Sequence, residues 1–92
     1  MLRCGEILNL KTETNQLTFN YARISNRVLY DISDCYGNIV KNGRINFSGH
    51  QKIQLTDLNP INYTLVIIDG GVVIRKNFKL LPSVYDNFVV NF

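Results

Sequence analysis

The stretch IQLTDLNPINYTLVIIDGGVVIRKNFKL, residues 53–80, decides the fold of this chain. Its apolar residues are mostly β-branched or aromatic, and such residues favour strands. Asn59-Pro60 and Gly70-Gly71 interrupt the stretch with residues that are typical of turns. The stretch therefore predicts a short strand followed by a hairpin of two long strands. Because an isolated hairpin is only marginally stable in water, we expect the rest of the chain to supply a second sheet against its apolar face.

The first long strand of this hairpin is apolar on both faces, because Leu65 and Ile67 alternate with Val66 and Ile68. Such a strand belongs in the middle of a sheet, with the opposing sheet on one side and a further cover on the other. In the second long strand, Lys76 interrupts the apolar alternation. We expect either a β-bulge near this lysine or an edge position that leaves its amine in solvent.

Upstream of residue 53 the chain alternates between strand and turn patterns. Apolar residues at every second position, or shorter apolar runs, predict strands at residues 6–11, 16–22, 27–33, 39–41 and 44–47. A turn is expected at residues 34–38, a bulge or tight turn at Asn42-Gly43, and a loop at residues 48–51. Turn signals about every 8 to 12 residues, without helical periodicity, predict an all-β protein, an Ig-like antiparallel β-sandwich of about seven or eight strands.

The length of 92 residues suits one domain with a single modest core, so we expect residues 1–92 to form one Ig-like sandwich. The net charge of +3 is mild and the basic residues are interspersed with acids, so we expect no specific nucleic-acid partner. No window has the apolar length of a signal peptide or a transmembrane span. We therefore expect synthesis in a cytoplasm and no association with a membrane.

Side chains that carry catalytic chemistry are few. The one histidine, His50, has no acid or cysteine at a motif distance, which favours an exposed loop residue. Asp31 and Asp34 flank a turn and are expected to cap it, because their spacing matches no loop with six or more oxygen ligands. Cys4 and Cys35 lack zinc spacing, and unpaired thiols are expected, with one bridge between them left open. We expect a protein that is not an enzyme and needs no cofactor or metal.

The tyrosines suggest structural roles more than binding roles. Tyr63 follows the Asn59-Pro60 corner and resembles the tyrosine that ties such a corner to the main chain in Ig-like sandwiches. Four tyrosines lie in apolar strand contexts and are expected in or beside the core: Tyr21, Tyr30, Tyr63 and Tyr85. Tyr36 lies in a turn. A row of exposed aromatic rings would instead indicate a sugar-binding module.

The C-terminal segment SVYDNFVVNF, residues 83–92, is as apolar as the core segments. It is expected to be either a final strand of the sandwich or an extended C-terminal arm that adds to a neighbouring subunit and makes a homo-oligomer. Turn and tail residues together form the predicted interface: Tyr36, His50, Tyr85, Phe88, Val90 and Phe92.

The order of signals in residues 29–80 resembles the C-terminal sorting domain of type IX secretion systems, an Ig-like β-sandwich carried by exported proteins of Bacteroidota. The resembling segments are Leu29-Tyr30-Asp31-Ile32-Ser33, Gly37-Asn38-Ile39-Val40-Lys41, Ile53-Gln54-Leu55-Thr56-Asp57-Leu58, Tyr63-Thr64-Leu65, Gly70-Gly71 and Arg75-Lys76-Asn77-Phe78. The resemblance implies the same fold and an origin in that bacterial group or in a virus that infects it. The chain departs from the family in lacking a Pro-Asn-Pro opening, in having Ile61-Asn62 where a glycine is expected, and in continuing to residue 92.

The leading hypothesis is a non-enzymatic structural or interaction protein, a bacteriophage virion component such as a capsid decoration protein. Its partner would be a capsid or another repeated virion surface, and its location the virion, after synthesis in the host cytoplasm. The alternative is a sorting or cell-surface adhesion module of an exported bacterial protein. A carbohydrate-binding module is the second alternative.

Overall fold

A computed structural model describes residues 3–13, 15–56, 58, 59 and 61–80. These residues form seven strands and no helix. The strands are β1 (Leu8–Glu13), β2 (Gln16–Tyr21), β3 (Val28–Asp34), β4 (Ile39–Arg44), β5 (Gly49–Gln54), β6 (Asn62–Asp69) and β7 (Val72–Lys79). The described residues therefore contain no helix that is long and apolar enough to cross a membrane.

Two antiparallel sheets build the sandwich, one with the strand order β1-β2-β5 and the other with the order β4-β3-β6-β7. The fourth strand joins β3, so it extends the sheet of β6 and β7, whereas constant-type Ig domains place their fourth strand in the opposite sheet. The predicted all-β, Ig-like sandwich is confirmed. The central position predicted for the first long strand of the hairpin is also found, because β6 lies between β3 and β7.

The core lies between the sheets and follows the predicted alternation. In β2, Leu17, Phe19 and Tyr21 are fully buried, as the period of two predicts. The side chains that form the core are Ile7, Leu17, Phe19, Tyr21, Val28, Ile32, Ile45, Ile53, Leu55, Tyr63, Leu65, Ile67, Phe78 and Leu80.

The edge strand β7 pairs with β6 in one unbroken register from Val72 to Lys79. Lys76 is exposed at this edge, so the interrupted alternation reflects an edge position and not a bulge. A charged side chain on an edge strand also discourages pairing with other chains.

The segment around Gly43 differs from the sequence prediction. Asn42-Gly43 is neither a bulge nor a turn, because β4 runs through it to Arg44. The glycine is needed for packing: a Cβ at Gly43 would lie 2.7 Å from Cε2 of Tyr30 on the paired strand. The prediction of a strand at residues 44–47 is wrong, because β4 ends at Arg44. Ile45 is buried whereas Phe47 is 57% exposed, so the two do not share a face.

The loop predicted at residues 48–51 is also wrong, because β5 begins at Gly49. Gln51 occupies a buried position of this strand, and a polar residue there hides the apolar alternation with Ile53. Its side-chain amide donates hydrogen bonds to the backbone oxygens of Phe47, at 2.8 Å, and Gly49, at 3.2 Å. These bonds compensate for the burial of the amide.

At the N-terminal end, β1 covers Leu8–Glu13 and not residues 6–11. Its pairing with β2 shifts between Leu8 and Lys11, where Asn9 has a φ of 55°. Asparagine tolerates this left-handed conformation better than most residues. The strand or arm predicted for residues 83–92 lies outside the described residues.

Candidate functional site

The turn between β3 and β4 is held by its own first residue, Asp34. One carboxylate oxygen of Asp34 accepts hydrogen bonds from the backbone nitrogens of Tyr36 and Asn38, both at 2.9 Å. The backbone nitrogen of Asp34 donates to the Asn38 oxygen at 2.9 Å, and Gly37 takes a φ of 85°. The bonds from Asn38 and Tyr36 hold the pKa of Asp34 below its usual range. Asp34 therefore caps the turn, as predicted.

Tyr36 projects from this turn and is 84% exposed. Ile39, the first residue of β4, is 59% exposed, and the thiol of Cys35 is also exposed. A tyrosine offers a large contact area at a small cost in side-chain entropy, which is why tyrosines are frequent anchors in protein interfaces. A rigid turn that carries an aromatic and an aliphatic side chain is thus suited to contact another protein.

An open recess of about 410 Å³ lies beside the turn, lined by Cys35, Asn62, Tyr63, Thr64, Asn77 and Phe78. The rings of Tyr63 and Phe78 stack with their centroids 5.8 Å apart, and Thr64 Oγ1 donates to Asn77 Oδ1 at 2.8 Å. The described part of the lining consists of apolar rings, amides, a hydroxyl and a thiol. Such a recess can accept a partner side chain.

The chain that enters β6 beside the recess is fixed by a tyrosine corner. Tyr63 Oη donates a hydrogen bond of 2.5 Å to the backbone oxygen of Asn59. This bond confirms the structural role predicted for Tyr63.

The second predicted interface residue of the described part, His50, lies elsewhere. It is exposed on β5 and not in a loop, and its Nδ1 is 3.2 Å from Oδ1 of Asn20 on the paired strand. β5 places His50 at the end of the sandwich where Tyr21 and Asp69 lie, whereas Tyr36 is at the opposite end of β3. The structure thus does not bring Tyr36 and His50 together. Tyr85, Phe88, Val90 and Phe92 lie outside the described residues.

A buried carboxylate, which the sequence analysis did not single out, occupies that other end. Asp69 is fully buried, and its two oxygens accept four hydrogen bonds, from Tyr21 Oη at 2.6 Å, from Ile24 N at 2.8 Å, and from N and Oγ of Ser25 at 2.9 and 2.7 Å. Burial raises the pKa of Asp69, but these bonds outweigh it and hold the pKa below its usual range. Burial and the bond to Asp69 raise the pKa of Tyr21.

The position of Asp69 could have been found from the sequence. It continues the buried alternation of Tyr63, Leu65 and Ile67, so an acid there had to face the core. Its proximity to Gly70 instead suggested an ordinary turn residue.

The remaining candidate residues do not converge on a reactive centre. Asp31 lies in β3 and its Cα partners are Asn42 and Val66, so it does not join Asp34 at the turn. Cys4 and Cys35 are both free, which confirms the expected unpaired thiols. Within the described residues, no three histidine, cysteine or acidic side chains are grouped so that they could hold a metal ion.

The described tyrosines divide as the sequence predicts. Tyr21 and Tyr63 are buried, Tyr30 is half-buried against the core, and Tyr36 is exposed. The exposed aromatic side chains of the described part are Tyr36 and Phe47. These two lie in different connections, Tyr36 between β3 and β4 and Phe47 between β4 and β5.

The two sheets and their strand order define the chain as an Ig-like β-sandwich. A similar solved structure is the crystal structure of a DUF3244 family protein with an immunoglobulin-like β-sandwich fold from Bacteroides vulgatus ATCC 8482. It shares 20% sequence identity with this chain at a TM-score of 0.63, over 76% of this chain and 79% of the other. At this identity the likeness shows the fold alone. No protein-family model and no curated protein matches the chain.

Proposed function

We propose that this protein is a non-enzymatic structural or interaction protein that binds a protein partner through the β3–β4 turn. The observation that carries the proposal is the 84% exposure of Tyr36 on a turn whose conformation Asp34 fixes. An exposed aromatic ring on a rigid scaffold loses little conformational entropy on binding, so most of the free energy from its burial is available for affinity.

The neighbouring groups support the same use. Ile39, which follows the turn, adds a second exposed apolar side chain, and the recess lined by Cys35 offers a place for a partner side chain. Central aromatic anchors next to shallow recesses are common features of small protein interfaces.

For the partner we propose a repeated virion surface, with the chain as a bacteriophage capsid decoration protein located on the virion. A small β-sandwich suits this role because its sheets supply a rigid body while a turn at one end makes the contact. Each copy then needs only one small contact with the shell, and the site requires no reaction chemistry.

The test uses residues 1–92 and assembled capsids of tailed phages that infect bacteria of the Bacteroides group. Binding is measured by co-sedimentation for the wild type, Tyr36→Ser and Phe47→Ser. Phe47→Ser is a matched control, because Phe47 is another exposed aromatic residue and lies in the connection between β4 and β5. We expect the wild type and Phe47→Ser to bind, and Tyr36→Ser to bind at least about tenfold more weakly. Failure of the wild type to bind any capsid would reject the virion role, and equal losses in both variants would reject the turn as the contact.

The resemblance of residues 29–80 to sorting domains favours a second candidate, a sorting or adhesion module of an exported protein. Residues 1–92 would be fused to the C-terminus of a fluorescent reporter that carries an export signal, in a bacterium with a type IX system. Reporter at the cell surface, and its loss when the fused residues are scrambled, would favour this candidate over the capsid role.

A further inference from the structure

The four-stranded sheet has one face turned away from the core, here named the outer face. The register places residues with directly opposed Cα atoms on the same face of a sheet, and so defines rows across β3, β6 and β7. Two of these rows are important for binding. The apolar row consists of Leu29, Ile68 and Val73, and the charged row consists of Asp31, Val66 and Arg75.

The apolar row is unusually open to solvent. Ile68 is 37% exposed and Val73 is 47% exposed, while Leu29 and Val66 are half-buried. The solvated face of an antiparallel sheet is ordinarily polar, so four aliphatic side chains grouped there mark a surface that can bury itself against another protein.

The charged row has an acid and a base on either side of an aliphatic residue. Asp31 lies on β3, Arg75 lies on β7, and Val66 of β6 lies between them. Within the described residues neither charged side chain makes a hydrogen bond or an ion pair. As far as the described part of the chain is concerned, both charges are therefore available to a partner.

We propose that the outer face binds the outer face of a second copy of this chain, around a two-fold axis parallel to β6. Such an axis reverses the order of the strands and keeps each row at its own height. Leu29 then faces Val73 of the second copy, and Asp31 faces Arg75 of the second copy. Ile68 and Val66 meet their own counterparts on the axis, so like chemistry meets like chemistry in the apolar row and opposite charges meet in the charged row.

Other two-fold arrangements of the same face lack this complementarity. An axis along β3 would place Asp31 against Asp31 of the second copy, and an axis along β7 would do the same for Arg75. An in-plane axis across the strands would oppose identical charges if it crossed at the charged row, and at any other height it would place the charged row against a row of different chemistry. The axis along β6 is also compatible with the nearly aligned packing that is usual between two sheets.

The size of the face sets the expected affinity. Three strands about 4.8 Å apart and about seven residues long present a flat area of roughly 14 by 23 Å. This area, about 320 Å² on each copy, is well below the roughly 800 Å² per partner of a standard specific interface, so we expect a weak, reversible dimer with a Kd on the order of 100 µM. The inference does not depend on the partner of the β3–β4 turn, and a failure of the capsid assay would leave it unaffected.

The test is sedimentation equilibrium of residues 1–92 from about 10 µM to about 1 mM, the range around the expected Kd. The variants are Asp31→Arg and Arg75→Asp, each of which places like charges opposite each other in a dimer of identical chains. We expect each variant alone to dimerise at least about tenfold more weakly than the wild type. An equimolar mixture of the two variants should dimerise again. The charged row of Asp31→Arg has two positive charges, and it then faces the charged row of Arg75→Asp, which has two negative charges.

This mixing experiment also controls for misfolding, since a misfolded variant cannot regain association on mixing. A wild type that remains monomeric over the whole concentration range would overturn the proposal. So would two variants that dimerise like the wild type, or a mixture that stays monomeric. A dimer that resists both charge reversals but is lost in Phe88→Ser would assign the association to the C-terminal segment, and would equally overturn the proposal for the outer face.

Discussion

Tyr21 and Asp69 are joined by a buried hydrogen bond of 2.6 Å that connects the two sheets through the core. Tyr21 ends β2 of the three-stranded sheet, and Asp69 ends β6 of the four-stranded sheet. The same carboxylate accepts three hydrogen bonds from Ile24 and Ser25, in the chain between β2 and β3. One buried acid therefore fixes the connection between the sheets by accepting hydrogen bonds from polar donors in β2 and in the chain that follows it.

Replacing Asp69 by Asn should destabilise the fold strongly. The amide keeps the size of the side chain but offers one oxygen acceptor in place of two, so donors among Tyr21, Ile24 and Ser25 are left without partners in the interior. We expect the free energy of unfolding to fall by about 2–3 kcal/mol, measured by urea denaturation. Glu6→Gln is the control, because Glu6 is exposed. It should change the free energy of unfolding by less than about 0.5 kcal/mol. If Asp69→Asn lowered the free energy of unfolding as little as Glu6→Gln does, the hydrogen bonds to Asp69 would contribute little to stability.

The stability of the wild type should fall in acid, and Asp69 should account for part of the fall. Because the folded pKa of Asp69 lies below its usual value, the unfolded chain binds the proton first as the pH drops. The stabilisation is fully present above the unfolded pKa of about 3.9 and is lost as the pH falls through the folded pKa. We expect the gap in unfolding free energy between wild type and Asp69→Asn to narrow from pH 6 towards about pH 2. A gap that stays constant over this range would contradict the assignment.

The sequence was sufficient for the parts of the fold that depend on local pattern. The alternation in β2, β3 and β6, the capped turn at Asp34 and the corner at Tyr63 follow from side chains a few residues apart. The wrong predictions concern residues whose secondary structure depends on a contact with a side chain or backbone group that no local pattern reveals. Gln51 is buried in β5 because backbone oxygens satisfy its amide, and Gly43 lies in a continuous strand because Tyr30 needs its space.

The candidate site was predictable only in part, for the same reason. An exposed Tyr36 follows from its place in a turn rich in polar residues. Its separation from His50 depends on how β5 pairs with β2, and the placing of Asp31 and Arg75 in one row on either side of Val66 depends on the register of three strands. Register between distant strands is fixed by packing of the whole sheet, which no short pattern encodes.

The close packing of Tyr30 over Gly43 leads to a further prediction. In Gly43→Ala the new methyl group would lie under 3 Å from Cε2, Oη and Cζ of Tyr30, so the ring must move from its place against the core. We expect a loss of about 1–3 kcal/mol in unfolding free energy, measured by urea denaturation. In a Tyr30→Leu background the same substitution should cost much less, because the clashing ring is absent. Equal costs in both backgrounds would disprove the steric explanation.

The tyrosine corner should have a measurable energetic role. Tyr63→Phe keeps the ring that stacks on Phe78 but removes the hydroxyl that donates to the Asn59 oxygen. We expect the free energy of unfolding to fall by about 1 kcal/mol, which is typical for one lost hydrogen bond. Tyr36→Phe is the matched control, because the ring of Tyr36 is exposed, and it should leave the unfolding free energy unchanged. A Tyr63→Phe variant as stable as the control would show that the corner is held by the ring alone.

The rigidity of the β3–β4 turn can be tested without knowledge of its partner. Asp34→Ala removes the carboxylate that accepts hydrogen bonds from the amides of Tyr36 and Asn38, while the backbone bond from Gly37 to Asp34 remains. We expect faster hydrogen exchange at the amides of Tyr36 and Asn38, with no change at amides of β6, because only the turn loses its restraint. Once a partner is in hand, the same variant should bind it several-fold more weakly even though Tyr36 is intact, since the looser turn must be ordered on binding. Unchanged exchange at both amides would mean that the backbone bonds alone hold the turn, and the presentation of Tyr36 would then not depend on Asp34.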